Sequence, residues 1–367
     1  MTQPKLSMRD VRVTRRSGDI LQVPQLDVFA GEVLAVIGPN GAGKTTLLMV
    51  LALLERPSEG QVLFEGESAR GRGLSLRRRM AVVFQETMLL RRSLVENVAT
   101  GLALRGVPRR EREERALRWM ERFGIAHLAR RGTRNLSGGE AQRASLARAF
   151  ALEPEVFLLD EAFHGLDQPT REALLEELAG VLAETGVTTV FVTHDRDEAA
   201  RLGNRVAVLL GGRLRQVGPP AEVFGAPVDE EVAAFVGVET VVPGRAVGAD
   251  GGLARIEVAG RVIEVVPKGP LPQDVLVCLR PEDVVLAPPD GVMPSSARNR
   301  LPGAVTRVVP AGAQVHVTVD CGFPLVSVIT RQSLEELRLE VGTRVVASFK
   351  ASAVHLIPRS RGPQPQT

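Results

Sequence analysis

The segment Gly38-Pro39-Asn40-Gly41-Ala42-Gly43-Lys44-Thr45 constrains this chain more than any other. It stands between an apolar run at 33–37 and a second one at 46–54. Strand, glycine-rich turn and helix in that order form the phosphate-binding loop pattern. Glycines let successive backbone N–H groups converge on phosphate oxygens with no Cβ in the way. The helix N-terminus that follows adds positive potential. Lys44 is placed to reach β and γ phosphates, the Thr45 hydroxyl to ligate Mg²⁺, and Thr46 to complete the nucleotide-facing set.

Two further strings extend the machinery. VFLLDE at 156–161 is an apolar strand ending in two carboxylates. Beside a phosphate loop, Asp160 would hold the Mg²⁺ and Glu161 would polarise an attacking water. LSGGEAQR at 136–143 opens a helix, with Ser137 at its N-cap. That hydroxyl and the free N–H groups of Gly138 and Gly139 make another anion site.

The chain of 367 residues is too long for one ordinary core. Its first two-thirds alternate apolar strands (33–37, 80–84, 156–159, 189–193) with amphipathic helices, which predicts an α/β fold on a mostly parallel sheet. A helix is expected at 170–184, capped by Gly186, and a hairpin at 206–217 turning on Gly211 and Gly212. Residues 90–135 lack strand signals and read as an inserted helical lobe. The nucleotide-binding domain is placed at 1–228 and a linker at 229–240. After that, short Val-rich strands predict a small all-β domain, with a disordered tail at 359–367. PGRAV at 243–247 is similar to PGAVT at 302–306, and LRPEDVVLAP at 279–288 to FKASAVHLIP at 349–358. Those pairs suggest two tandem five-strand barrel halves, 241–290 and 291–358.

Lys plus Arg number 46 against 43 Asp plus Glu, so charge makes no case for a nucleic-acid partner. The basic cluster at 77–79 reads as a solvated turn or edge. Cys278 and Cys321 show neither ligand spacing nor a disulfide framework. The first ten residues lack a secretory h-region, and the longest apolar run, 47–54, is too short to span a bilayer. The chain is expected at the cytoplasmic face of the cell membrane, held there by partners.

The string LSGGEAQR closely resembles the signature of ATP-binding cassette (ABC) proteins, and the resemblance covers residues 6–225. It implies a P-loop ATPase in which Gln85 senses metal and the membrane partner, Asp167 is the D-loop aspartate and His194 contacts the γ-phosphate. It also implies a homodimer, because ATP in this family lies between the P-loop of one cassette and the signature of another. Three departures stand out. Thr14-Arg15-Arg16-Ser17 replaces the usual adenine-stacking aromatic, and an Arg guanidinium could stack instead. Ala162 follows the catalytic Glu in place of Pro. His164-Gly165-Leu166 precedes Asp167 in place of small residues.

The C-terminal region resembles importer accessory (TOBE) domains through LRPEDV at 279–284. Through SARN at 296–299, ITRQS at 329–333 and FKASAVHL at 349–356 it resembles the narrower Mop-type oxyanion-binding barrel, with its OB-like fold. The resemblance implies contacts to molybdate or tungstate from Ser296, Arg298, Thr330, Ser333, Lys350 and the Ala351 backbone. It further implies a separate permease and, outside the cell, a binding protein. Sulfate, iron or sugar import, a cytosolic oxyanion sensor or store, and a soluble ABC ATPase acting on DNA or ribosomes are the competing readings. The barrel could equally serve only as a dimerisation module.

Overall fold

The computed structural model describes residues 3–16, 18–291 and 295–359. Ser17 of the adenine-end segment and the expected tail from residue 360 lie outside them. The chain divides into two compact units, Met1–Pro220 and Ala221–Thr367. The division falls at the first residue of the helix Pro220–Gly225, earlier than the expected 228. The expected linker contains a further helix, Glu230–Phe235, capped by Asp229.

The first unit is built on a ten-stranded sheet. Its order is Glu67–Ser68, Glu59–Phe64, Pro4–Arg15, Gly18–Phe29, Arg213–Gly218, Arg205–Leu210, Val33–Ile37, Thr188–Thr193, Val156–Asp160, Met80–Val83. From Arg205–Leu210 onward the neighbours run parallel. Val33–Ile37, Val156–Asp160 and Thr188–Thr193 are buried at every position, as continuous apolar runs between two helical layers require. The rest of the sheet mixes directions: Gly18–Phe29 meets Arg213–Gly218 in parallel, while the outer strands turn antiparallel. Pro4–Arg15, Gly18–Phe29 and Glu59–Phe64 pair antiparallel, and Gly18–Phe29 intersperses buried with exposed residues, as a strand with one wet face does.

The helical lobe comprises Leu94–Leu104, opened by a Ser93/Glu96 capping box, and Arg109–Arg122, which buries only Ala116 and Met120. The helix Gln168–Thr185 starts at its Asp167 cap, buries Leu174, Leu175, Leu178, Val181 and Leu182, and ends where Gly186 turns left-handed at φ 59°. In the basic cluster Arg79 is not merely solvated. It pairs with Glu65 and with Glu155, which Lys5 also contacts.

The second unit holds two five-stranded antiparallel sheets around one shared core that includes Ile256, Val277, Val317 and Val345. The first runs Arg261–Val265, Leu253–Val258, Thr240–Asp250, Asp274–Leu279, His355–Pro358. The second runs Pro324–Thr330, Gln314–Asp320, Asn299–Ala311, Arg344–Phe349, Val285–Ala287. The two orders match strand for strand, and the repeated Pro-Gly pairs fall on corresponding central strands. A Cβ on Gly244 would lie 2.6 Å from Ile256, and one on Gly303 would lie 2.5 Å from the Asp320 carbonyl. Only glycine fits there. The fifth strands are exchanged: Val285–Ala287 pairs with Arg344–Phe349, and His355–Pro358 with Asp274–Leu279. The expected halves 241–290 and 291–358 are therefore not separate barrels.

Candidate functional site

Four parallel neighbours end on one side of the first sheet, and each is followed by a residue singled out by the sequence. Gly38 follows Val33–Ile37, Gln85 follows Met80–Val83, Glu161 follows Val156–Asp160, and His194 follows Thr188–Thr193. The register aligns Ile37 with Thr193, Val192 with Asp160, and Leu159 with Val83. In-step parallel strands thus deliver side chains from distant sequence positions to one crevice at their carboxyl ends.

Within the loop, Gly38 has no room for a side chain, since a Cβ would lie 2.2 Å from the Leu209 carbonyl oxygen. Lys44 is 5% exposed and begins the helix Lys44–Leu51, one residue inside the loop pattern. Its ammonium donates to the carbonyls of Gly38 at 2.9 Å and Pro39 at 3.2 Å. It also lies 3.4 Å from Glu161 Oε1. Asn40 and Gly41 are exposed on the turn, Ala42 and Thr46 are buried beneath it, and Gly43 is left-handed.

The Thr45 hydroxyl donates to Asp160 Oδ1 at 3.3 Å. Asp160 is 5% exposed, and burial raises its pKa against the lowering effects of Thr45 and Lys44. A desolvated carboxylate beside a hydroxyl is a hard oxygen donor set, the kind that suits Mg²⁺. Gln85, exposed just past its strand, offers another oxygen from the neighbouring strand end.

Glu161 sits at φ 45°, in the left-handed region, with its N–H bonded to the Val192 carbonyl at 2.9 Å. That turn re-aims the carboxylate out of the strand. Its Oε2 lies 3.4 Å from His194 Nδ1. Sequence reasoning missed what holds His194 in place. Arg171, on the Asp167-capped helix, pairs with both Asp195 and Glu198. Asp195 caps the helix Arg196–Leu202, and Thr193 donates to Glu198 at 2.5 Å. Arg171 therefore clamps the D-loop helix to the His194 turn. The acidic spacing Asp195-x-x-Glu198 was the available signal.

Ser137 caps Gly138–Phe150 through a capping box with Glu140, and its hydroxyl accepts the Glu140 N–H at 3.2 Å. A Cβ on Gly139 would meet Thr170 at 2.7 Å, and Arg143 pairs with Glu177. Signature and D-loop helices form one packed block. Asp167 accepts from the Thr170 N–H and hydroxyl. At the adenine end Arg15 is paired with Glu55, which leaves the exposed Arg16 as the available guanidinium.

The six oxyanion candidates do not converge in one chain. Asn299 pairs with Phe349, which places Arg298, Lys350 and Ala351 at one end of the strand Asn299–Ala311. Thr330 pairs with Gln314, next to the other end of that strand at Ala311. Arg298 is bonded to Glu264, and the exposed Ser296 lies on the same side. Thr330 caps the short helix Arg331–Glu336 and bonds Ser333. Lys350 lines a cavity of about 320 Å³ with Arg280, Asp283 and His355. The Ala351 carbonyl accepts from Val266 N–H.

Comparison with known proteins places these features. Residues 21–164 match the family described as ABC transporter, and 295–356 match the TOBE domain. A molybdate/tungstate import ATP-binding protein of Pyrococcus horikoshii is 39% identical over 90% of this chain and 94% of its own length. A sulfate/thiosulfate import ATP-binding protein of Xylella fastidiosa is 44% identical over 72% of this chain and 76% of its own. A dimeric ATP-binding cassette solved in a post-hydrolysis state with ADP and Pi is similar at TM-score 0.54 and 29% identity, over 59% of this chain and 98% of that one. The strand-end crevice, the signature helix and these similarities together establish that the chain belongs to the ABC transporter family, as an ATP-binding ATPase that carries a TOBE domain.

Proposed function

We propose that this ATPase powers import of molybdate or tungstate through a separate membrane permease. The observation that carries the reading is the match to the Pyrococcus horikoshii protein, which runs through the cassette and the β domain alike. We place the permease on another chain, met by this subunit from the cytoplasmic side; among the described residues no helix is long and apolar enough to cross a membrane. A binding protein outside the cell feeds that permease.

Lys44 exchanges its carbonyl and Glu161 contacts for the β and γ phosphates. Thr45, Asp160 and Gln85 would hold Mg²⁺, which would neutralise charge on the phosphates. Glu161 takes the proton of the attacking water, and His194 steadies the γ-phosphate. Ser137, Gly138, Gly139 and Asp167 act on the nucleotide of a second copy, so the active form is a homodimer. Scattering on a Glu161→Gln variant at saturating Mg-ATP should show the dimer, and a monomer would refute it. Ser296, Arg298, Lys350 and Ala351 of one copy, with Thr330 and Ser333 of another, form the oxyanion site. Calorimetry of the full chain with molybdate, tungstate and sulfate tests this. Tighter sulfate binding would favour the second reading, a sulfate importer, which the 44% identity to the Xylella fastidiosa protein supports.

A further inference from the structure

We propose that Glu161, His164 and His194 form a binding site for a zinc-class divalent transition-metal ion, and that its occupation arrests ATP hydrolysis. One carboxylate and two imidazoles place their ligand atoms within 4.8 Å of one another. His194 Nδ1 is 3.4 Å and His164 Nδ1 4.0 Å from the same oxygen, Glu161 Oε2. A tetrahedral centre with bonds of about 2.0–2.2 Å sets its donors roughly 3.3–3.5 Å apart. One edge of the site already has that span. The other closes by a small rotation of the exposed His164 ring.

The backbone delivers His164 for this purpose. Its N–H bonds to the Glu161 carbonyl at 3.1 Å, folding the segment into a turn that puts both side chains on one side. The buried Ala162 and Phe163 anchor the turn from beneath, Phe163 against the edge of Phe191. A cavity of about 70 Å³ lies against Glu161, His164 and His194 and leaves a fourth position open. Two nitrogens and one carboxylate oxygen select zinc, copper or nickel over Mg²⁺, which needs oxygen ligands. Arg171 lines the same cavity, but its charge is already matched by Asp195 and Glu198. Lys44 lies against the other Glu161 oxygen, Oε1, so one carboxylate can serve both cations. An ion held here occupies the lone pair that would accept the water's proton and the imidazole that would meet the γ-phosphate. The nucleotide cradle at Gly38–Thr45 is left intact.

The arrest rests on the hydrolytic reading of Glu161 and His194; the metal site does not. The full chain, free of nucleotide, is titrated with zinc chloride by calorimetry against a chelator of known affinity. Wild type and a His127→Ala control should each take one tightly bound zinc. Removing a group that only supports a metal ligand costs about 10–100-fold in affinity, so His164→Ala, which removes a ligand, should weaken binding at least about tenfold. In a second arm His164→Ala should match the metal-free ATPase rate of wild type and resist zinc to at least about tenfold higher concentration, by the same loss. Equal zinc affinity in wild type and His164→Ala overturns the proposal, as does zinc-loaded protein turning over at the metal-free rate. If Glu161→Gln left metal-free turnover unchanged, the hydrolytic reading would fail instead, with the binding measurement standing.

Discussion

The two units place distant residues by opposite rules. In the first, Lys44, Asp160, Glu161 and His194 come together because neighbouring strands run parallel and in step. The carboxyl ends of those parallel strands face the same crevice. In the second, antiparallel strands send successive ends to opposite sides. Arg298 and Lys350 finish at one end of a long strand, and Thr330 and Ser333 near the other. Parallel pairing assembles a site inside one chain. Antiparallel pairing distributes its candidates to opposite ends of the strands.

The largest expected effect tests the parallel side of that contrast. Glu161→Gln should lower kcat by about 10²–10⁴-fold while ATP binding persists, as removal of a positioned proton acceptor does. Steady-state turnover with nucleotide titration reads both, and loss of ATP binding would mean the crevice is less preset than its geometry indicates. Arg171→Leu should come next. Freeing the His194 turn should lower kcat about tenfold, equivalent to about 1.4 kcal/mol of transition-state stabilisation, with a near-normal KM for ATP. A rise in KM alone would make Arg171 part of nucleotide binding rather than a positioning residue.

On the antiparallel side, Thr330→Ala should cost about 1 kcal/mol of stability through the lost cap, seen in urea unfolding. If the set assembles from two copies, the same change weakens oxyanion binding only under conditions where the chain dimerises. The smallest effect is at the edge of the first sheet. Arg79 and then Lys5 hold the Glu155 carboxyl down at about 2, from an ordinary 4.5, against the raising effect of desolvation. A depressed carboxylate stabilises the fold above its ordinary value and loses that contribution as pH falls toward the folded one. The stability difference between wild type and Glu155→Gln should therefore shrink as pH drops from 4.5 toward 2. A difference that is flat across that window would show the network to be inert.

Much of the crevice was legible because its chemistry is written in contiguous strings that each end an apolar strand. Gly38–Thr45, Asp160-Glu161 and Thr193-His194 each carry their own local context. Arg171 was not legible, since a helix-surface arginine looks like any solvated one until the fold sets Asp195 and Glu198 against it. The antiparallel part of the first sheet escaped notice because Pro4–Arg15 and Gly18–Phe29 carry many polar residues on their exposed face. The repeat in the second unit was visible as paired strings. The partners of its last strands were not, because a strand's pattern states which face is buried and not which edge it joins.

That exchange bears on how the chain is made. As synthesis proceeds, Asp274–Leu279 has no neighbour on one edge until His355–Pro358 has emerged, and Val285–Ala287 waits for Arg344–Phe349. An unpaired edge on a nascent chain invites pairing with the wrong strand, and such long-range closure is slow. The second unit can therefore be completed only once His355–Pro358 has been made. Loss of His355–Pro358 would strip an edge from the sheet that forms first.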